Sequence, residues 1–464
     1  MNKTGTSDLK YLFNPRSIAV IGASRTPGKI GHDLLKNIVE YGFKGEIYPI
    51  NPVADEILGY KAYPSIKHVP GEVDVAIIVV PVDKVTSVAR ECGEKGVKFL
   101  VVITSGFGEV GNVEAEEELL KIAREYNMRI LGPNIFGYTY TPVRLNATFG
   151  PRDVLEGPIA FISQSGALGI ALMGWTIMEE IGLSAIVSVG NMIDLDVVDI
   201  SKYLAEDLNT RVITIYLEGL KPNTGFKFIE EMKKVTKKKP VIVIKAGRTT
   251  KGMVAVASHT GSLAGTDHLY NAAFKQAGII RAYTIEEMFD YARLFATQSI
   301  PRGDRTLIIT NGGGVGVIAT DVAEETNVPL LSPSSDLISK LRETMPWFGS
   351  PKNPVDLTGQ AGVDNYVKAL KIAFESKEVD NIVLLYCRTA ILDPRDLAKA
   401  VAELYNDYRD TGKPIVAGFV GGLDVREAIS ILNRSGIPAY PSPERAVSSL
   451  SKLLEYRSYL LKNK

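Results

Sequence analysis

The amino-acid sequence predicts an α/β protein built from three parallel-sheet domains in succession. Its 464 residues fit about three domains of ordinary size, and an apolar content of 45% is ample for several cores. Short apolar runs stop at Gly, Ser, Asn or Pro and pass into helical stretches, as strands do when crossover helices bury both faces of their sheet. The third observation is repetition, because one strand–turn–helix opening begins near Ser17, again near Pro158 and again near Thr306.

In chain order, Ser17 to Gly22 is a buried-strand pattern that runs through Ala23-Ser24-Arg25 into the helical stretch Gly31 to Tyr41. Gly45 to Ile50, Val73 to Val80 and Phe99 to Thr104 follow as strands of the same sheet. The second domain opens with Pro158 to Ile162, turns at Ser163-Gln164-Ser165-Gly166 into a helix, and has a further strand at Val212 to Leu217. The third opens with Thr306 to Thr310 and turns at Asn311-Gly312-Gly313-Gly314-Val315-Gly316. Pro, Gly and charge accumulate near Gly150 to Gly157 and Ser299 to Asp304, which places the domains at 1–152, 153–298 and 299–464. Ser442 to Lys464 reads as a capped, charged helix that finishes the third.

Composition removes several classes of function. Fifty-three basic and fifty-three acidic residues give zero formal charge, so no global basic field favours nucleic acid or an anionic membrane. Cys92 and Cys387 are too few for a disulfide scaffold or a Cys-rich metal cluster, and no metal site is expected. The polar N-terminus and the lack of a run of about eighteen apolar residues read as a cytoplasmic protein without a membrane span.

Each opening turn sets helix N–H groups at the carboxyl end of a strand, where open α/β sheets bind ligands and a phosphate meets a favourable dipole. Gly and Ser there serve equally as ordinary turn residues. Gly22-Ala23-Ser24 lacks the Gly-x-Gly-x-x-Gly spacing, and Ile50-Asn51-Pro52 offers no acidic residue for a ribose, so an NAD-type oxidoreductase is the weaker reading. Arg25 and Lys29 suit a phosphate-bearing nucleotide better. One of four histidines, His259, stands in the small, uncharged stretch Val254 to Gly265, which reads as a loop able to move. Its imidazole is a nucleophile when unprotonated, so a transient phosphohistidine is chemically reasonable; an isolated histidine also caps or packs.

Asn14-Pro15-Arg16-Ser17, Gly22-Ala23-Ser24, Ile50-Asn51-Pro52, Thr104-Ser105-Gly106-Phe107 and Gly132-Pro133-Asn134 together resemble the CoA-binding domain of the nucleoside-diphosphate-forming acyl-CoA synthetase family, to which succinyl-CoA synthetase belongs. Ser163 to Leu168, Tyr216-Leu217-Glu218-Gly219, Lys245-Ala246-Gly247-Arg248 and Ser258-His259-Thr260-Gly261 resemble its second domain. Asn311 to Gly314 with Asn353-Pro354-Val355-Asp356 resemble its third. The ordered set is most similar to α subunits of the ADP-forming, acetate-type members, which carry this third domain.

That resemblance implies a Rossmann-like CoA-binding domain followed by two flavodoxin-like domains. It implies that acetyl-CoA and phosphate give acetyl phosphate and CoA, that His259 takes the phosphoryl group and releases acetate, and that ADP receives the group to form ATP. The ADP site, with its Mg²⁺, is expected on a separate ATP-grasp β subunit in an α2β2 assembly, because nothing after Lys464 supplies one. Glu218 is the expected acceptor for the imidazole N–H, although without the resemblance it reads more readily as a solvated strand-end carboxylate. Ser163, Gln164, Ser165 and Gly166 from one side and Gly313, Gly314 and Val315 from the other are expected to clasp the phosphoryl group. Gly22, Ala23, Ser24, Arg25 and Lys29 would hold CoA phosphates, and Asn51, Pro52, Val80, Pro81, Thr104, Ser105 and Asn134 would line the rest of the CoA groove. Lys245 and Arg248 either attract phosphate or are surface charge. A non-catalytic CoA- or acyl-CoA-sensing module is the competing reading, for which His259 and Glu218 would be superfluous.

Overall fold

Ser17–Ile21 (β1), Glu46–Ile50 (β2), Val75–Ile78 (β3), Phe99–Val102 (β4) and Arg129–Leu131 (β5) form a parallel sheet in the order β2-β1-β3-β4-β5. Every residue of β1, β3 and β4 is buried, which is why these strands read as unbroken apolar runs. The computed structural model describes residues 9–260 and 266–463, with the backbone alone for 257–260. A single parallel bridge from Ile50 to Tyr63 adds the rudiment of a strand outside β2. Counting that bridge, the third strand lies outermost, then the second, the first and the fourth, which is the Rossmann order. Helix α1, Ile30–Tyr41, follows β1 and ends at Gly42 in the left-handed conformation (φ 97°).

The second sheet comprises Gly137–Tyr140 (β6), Leu145–Thr148 (β7), Glu156–Ser163 (β8), Leu183–Ser188 (β9), Val212–Leu217 (β10), Val241–Lys245 (β11) and Ile280–Ala282 (β12), ordered β12-β11-β10-β8-β9-β6-β7. Its five later strands are parallel and take the flavodoxin-like order, second, first, third, fourth, fifth. Residues 137–148, expected in the first domain, instead extend this sheet. They turn through Thr141–Val143 and Arg144 (φ 53°) into a hairpin, and β6 pairs antiparallel with β9. An antiparallel strand needs no crossover helix, so the chain passes directly from one sheet to the next. Asn37 on α1 fixes the connection by donating to the carbonyls of Thr148 (2.7 Å) and Gly150 (3.0 Å). Around this sheet lie Gly166–Met178 (α2), Thr250–Thr260 (α3) and Asp267–Ala277 (α4).

The chain divides into two compact units at Tyr283/Thr284, so Ile285–Thr297 (α5) belongs to the second unit although the sequence placed it before the joint. The reason is a paired charge: Arg445 grips Asp290 of α5 through two bonds of 2.7 Å, and the Tyr440 hydroxyl donates to the Asp290 carbonyl at 2.8 Å. Thr306–Thr310 (β13), Val355–Asp356 (β14), Asn381–Cys387 (β15), Ile415–Val420 (β16) and Ala439–Tyr440 (β17) form the sheet of this unit in the order β14-β13-β15-β16-β17, again flavodoxin-like. Gly313–Glu325 (α6) follows β13, and Pro443–Lys462 (α7) closes the unit with its N-terminus capped by Ser442. No helix among the described residues is long and apolar enough to cross a membrane.

Candidate functional site

Two cavities of the first unit open at the carboxyl ends of its strands and share Asn134, Gly166 and Ala167 as a common wall. The larger, about 580 Å³, lies beyond β3 and β4 and is lined by Val80, Pro81, Thr104 and Ser105 with apolar Ile30 and Phe136. Five of the expected CoA residues are therefore brought together, counting Asn134. Thr104 donates to the Val80 carbonyl at 2.7 Å and accepts at its own carbonyl from the Asn134 N–H at 3.0 Å, so one hydroxyl and one amide hold three strand ends in register.

The remaining expected CoA residues lie outside both cavities, on the turn after β1 and the end of β2. Gly22 has φ 92°, and a Cβ on Gly31 would stand 2.0 Å from the Gly22 carbonyl oxygen, so this turn closes only with glycine at both places. Asn51 is a clamp within it: its amide donates to the Ala23 carbonyl at 2.7 Å, and its oxygen accepts from the N–H groups of Val53 and Ala54. Ser24 accepts from the Thr26 N–H, while Arg25 reaches the Val53 carbonyl at 3.1 Å. Lys29 is the N-cap of α1 and exposed, as are Arg25 and Pro52, so two cations flank a helix start that has no side-chain cap.

The smaller cavity, about 350 Å³, sits at the junction of β8 and β10, where the strand order of the second sheet reverses. Gln164, Ser165 and Gly166 line it together with Glu218. Ser163 does not, because its fully buried hydroxyl donates to the Ser165 carbonyl at 2.7 Å and shapes the turn. Nor does the Gln164 oxygen serve a ligand: it accepts from the N–H groups of Glu218 (2.8 Å) and Gly219 (3.1 Å). The next N–H, on Leu220, donates to the Tyr270 hydroxyl of α4 at 3.1 Å. Three successive N–H groups are thus held by side chains, which fixes the backbone carrying Glu218. That carboxylate is buried, at 5% exposure, beside Tyr216. Burial and then the charge and hydrogen bond of Glu218 push the Tyr216 phenol up to about 12, so it stays a donor to the carboxylate at neutral pH.

His259 lies on α3, near its C-terminal end; its side chain is outside the described residues. Of the stretch Val254 to Gly265 expected to be a loop, residues 254–260 belong to the helix Thr250–Thr260, and 261–265 lie outside the described residues. Between Gly252 and Gly261 it holds no Gly or Pro, and Ala255 and Ala257 favour the helix, so small size alone did not signal a loop. Lys245 is not surface charge: at 1% exposure its ammonium stands 4.5 Å above the Tyr270 ring. Burial lowers its pKa to about 8, with Asp267 opposing and Arg281 reinforcing. Arg281 bonds Asp267 and, like Arg248, stacks on Tyr283.

The facing wall was not anticipated. Asn191, just past β9, donates to Glu109 and Glu116, each at 2.6 Å, and Glu109 also accepts from the N–H groups of Gly106 and Phe107. Burial alone would raise the pKa of Glu109; the bonds from Asn191 and these N–H groups outweigh it and hold the carboxyl below the usual range. The one sequence signal was Val189-Gly190-Asn191, another strand end running into Gly and Asn.

In the second unit, described by itself, Gly313, Gly314 and Val315 form the first turn of α6, with Gly312 as an N-cap that makes no side-chain bond. Asn311 bridges to Cys387 through both its amide oxygen and nitrogen, in the same place that Gln164 occupies in the second sheet. A Cβ on Gly313 would lie 3.2 Å from an Asp356 oxygen. Among the described residues no cluster of three or more His, Cys, Asp or Glu is placed to hold a metal ion.

Comparison with known proteins matches three family models along the chain: a CoA binding domain over residues 16–140, a succinyl-CoA ligase like flavodoxin domain over 156–295 and a ligase-CoA domain over 306–458. The chain is 54% identical to the α subunit of ADP-forming acetate–CoA ligase I of Pyrococcus furiosus, across 98% of this chain and 99% of that one. The solved structure of Ca. Korarchaeum cryptofilum dinucleotide forming acetyl-coenzyme A synthetase 1, in complex with phosphate and ADP, superposes with a TM-score of 0.95 at 52% identity, covering 98% of each chain. An ADP-forming acetate–CoA ligase of Methanocaldococcus jannaschii is 43% identical over 97% of this chain, which spans 63% of that longer protein.

Proposed function

Because the chain belongs to the family of ADP-forming acetate–CoA ligase α subunits, we propose that its two adjoining cavities carry out the acyl and phosphoryl transfers of that reaction. The α subunit binds CoA and works with a partner subunit. In the first step phosphate oxygen attacks the thioester carbonyl of acetyl-CoA, the C–S bond breaks, and acetyl phosphate and CoA result. In the second an imidazole nitrogen of His259 attacks phosphorus, the P–O bond to the acyl group breaks, and acetate leaves. Phosphohistidine then passes its phosphoryl group to ADP, which we place with Mg²⁺ on an ATP-grasp β subunit in an α2β2 assembly. The cytoplasm, where CoA, ADP and phosphate meet, is the proposed site of action.

The observation that carries this reading is the shared wall of the cavities. A thioester seated along Val80, Pro81 and Thr104 has its acyl end at Asn134 and Gly166, which also face Glu218. Glu218, backed by the Tyr216 phenol and three held N–H groups, is a preorganised acceptor for an imidazole N–H; it fixes the tautomer and stabilises the cation that forms as the N–P bond is made. Ser165 and Gly166, at the uncapped start of α2, offer backbone donors for the phosphoryl oxygens. The Gly22–Arg25 turn and Lys29 take the CoA phosphates.

Incubation with labelled phosphate and acetyl-CoA tests the proposal. The chain is expected to acquire an acid-labile, alkali-stable label that His259→Ala abolishes while CoA binding stays near normal. A label that survives that substitution overturns the assignment.

A further inference from the structure

Four charged side chains line the smaller cavity among its described residues: Glu109, Glu116, Glu218 and Lys221. An anion entering there meets three carboxylates and a single ammonium. Each carboxylate already has at least one donor. Glu109 is held by Gly106, Phe107 and Asn191, Glu116 by Gly108 and Asn191, and Glu218 by Tyr216. Lys221 differs from them: its carbonyl accepts from the Thr224 N–H and hydroxyl, but its ammonium makes no hydrogen bond or ion pair with any described residue. Its position is nonetheless fixed, because it directly follows the segment pinned by Gln164 and Tyr270 and precedes Pro222.

Resting on the ligase reading above, we infer that Lys221 is a substrate-binding residue that holds the inorganic phosphate and the acyl phosphate beside Glu218. A phosphoryl group brings close to two negative charges into a wall that is otherwise acidic, and a carboxylate three residues away repels it. The base that orients a phosphoryl acceptor is therefore also an obstacle to the phosphoryl donor. An ammonium on the same short turn resolves the conflict, since it can reach the equatorial oxygens and leave Glu218 to the imidazole. Burial draws the Lys221 pKa down while Asp196, Asp194, Glu116 and Asp199 act against that shift, so the charged form gains from an anion seated against it. The residue is only partly covered, and it stays within reach of a diffusing ion.

The test uses the full chain with its partner subunit and compares Lys221→Met, Lys221→Gln and Lys221→Arg with the unsubstituted protein. Lys221→Met and Lys221→Gln are expected to raise the KM for phosphate roughly 10–100-fold, the worth of one charge-assisted hydrogen bond, while the dissociation constant for CoA stays within about twofold. Lys221→Arg is expected to recover most of the phosphate affinity, which a merely structural role for the stem would not produce. An unchanged phosphate KM in both neutral variants overturns the inference, and so does a parallel loss of CoA affinity. The unsubstituted chain is labelled by phosphate and acetyl-CoA in the same series: failure there removes the ligase reading itself, whereas normal labelling with indifferent variants removes Lys221 alone.

Discussion

Glu218 shows how the end of a buried strand fixes a carboxylate in place. Just past β10 its backbone N–H is taken by Gln164 and its carboxylate is bonded by Tyr216, so in the proposed reaction it would need no reorganisation as an imidazolium forms. Glu218→Gln keeps the shape and removes the charge. Phosphorylation by acetyl-CoA and phosphate is expected to slow by roughly a hundredfold or more, with little change in CoA affinity, as single-turnover labelling would measure. Near-normal labelling would return Glu218 to a structural role. Lys245 gives a second prediction, through pH. Its folded pKa of about 8 lies below the ordinary 10.5, so the penalty for burying its charge is fully present below pH 8. Between about pH 8 and pH 10.5 the unfolded chain binds more protons than the folded one, and stability rises with pH. That rise amounts to at most about 3 kcal/mol. Guanidinium midpoints at about pH 7.5 and pH 10 are expected to separate less in Lys245→Met than in the unsubstituted chain; equal separation would place the shift elsewhere.

At the scale of elements, the three sheets reuse one device, a turn after the first parallel strand closed by a side-chain amide or by glycine and leading into a helix, which starts after residues 22–29 in the first sheet and after two residues in the other two. The first turn depends on Gly31 most directly, because a Cβ there would lie 2.0 Å from a backbone oxygen that cannot move aside alone. Gly31→Ala is expected to cost about 1–3 kcal/mol of stability and, by displacing the Gly22–Arg25 backbone, to weaken CoA binding by about tenfold or more. Calorimetric titration with CoA measures the second effect, and normal affinity would show that this turn does not hold the ligand. The strands themselves were legible in the sequence, since β1, β3, β4, β10, β13 and the Ile159–Ser163 part of β8 are buried on both faces and spell largely apolar runs. The β6–β7 hairpin was not, because Tyr138, Thr139 and Tyr140 take their meaning from pairing with β9 and not from local pattern. Helix α3 was missed because its small residues were read as a lack of packing, although alanine is also the strongest helix former. Of the site, the turns at Gly22, Ser163 and Asn311 were legible as strand ends. Glu109, Asn191 and Lys221 were not, because their roles arise only where turns far apart in the chain meet across one cavity.

For the whole molecule, the division of labour with a partner is the remaining consequence. This chain spans 99% of a relative named as an α subunit but 63% of a longer relative named as the ligase, and we place the nucleotide site outside what this chain shares with it. In that proposal the cavities of the first unit serve CoA and the phosphoryl group, and among the described residues no group of three or more His, Cys, Asp or Glu is placed to hold a metal ion. On that proposal phosphorylation of His259 needs only this chain, whereas ATP formation needs a second protein to bring ADP within about 3–3.5 Å of the phosphoryl group. Purified alone, the chain is expected to bind CoA and to take up label from phosphate and acetyl-CoA, yet to show no heat of binding with Mg-ADP. Addition of the ATP-grasp subunit is expected to discharge the label into ATP in one turnover. Steady ATP synthesis by the chain alone would mean that a nucleotide site lies within these 464 residues, and the two-subunit proposal would fail with it.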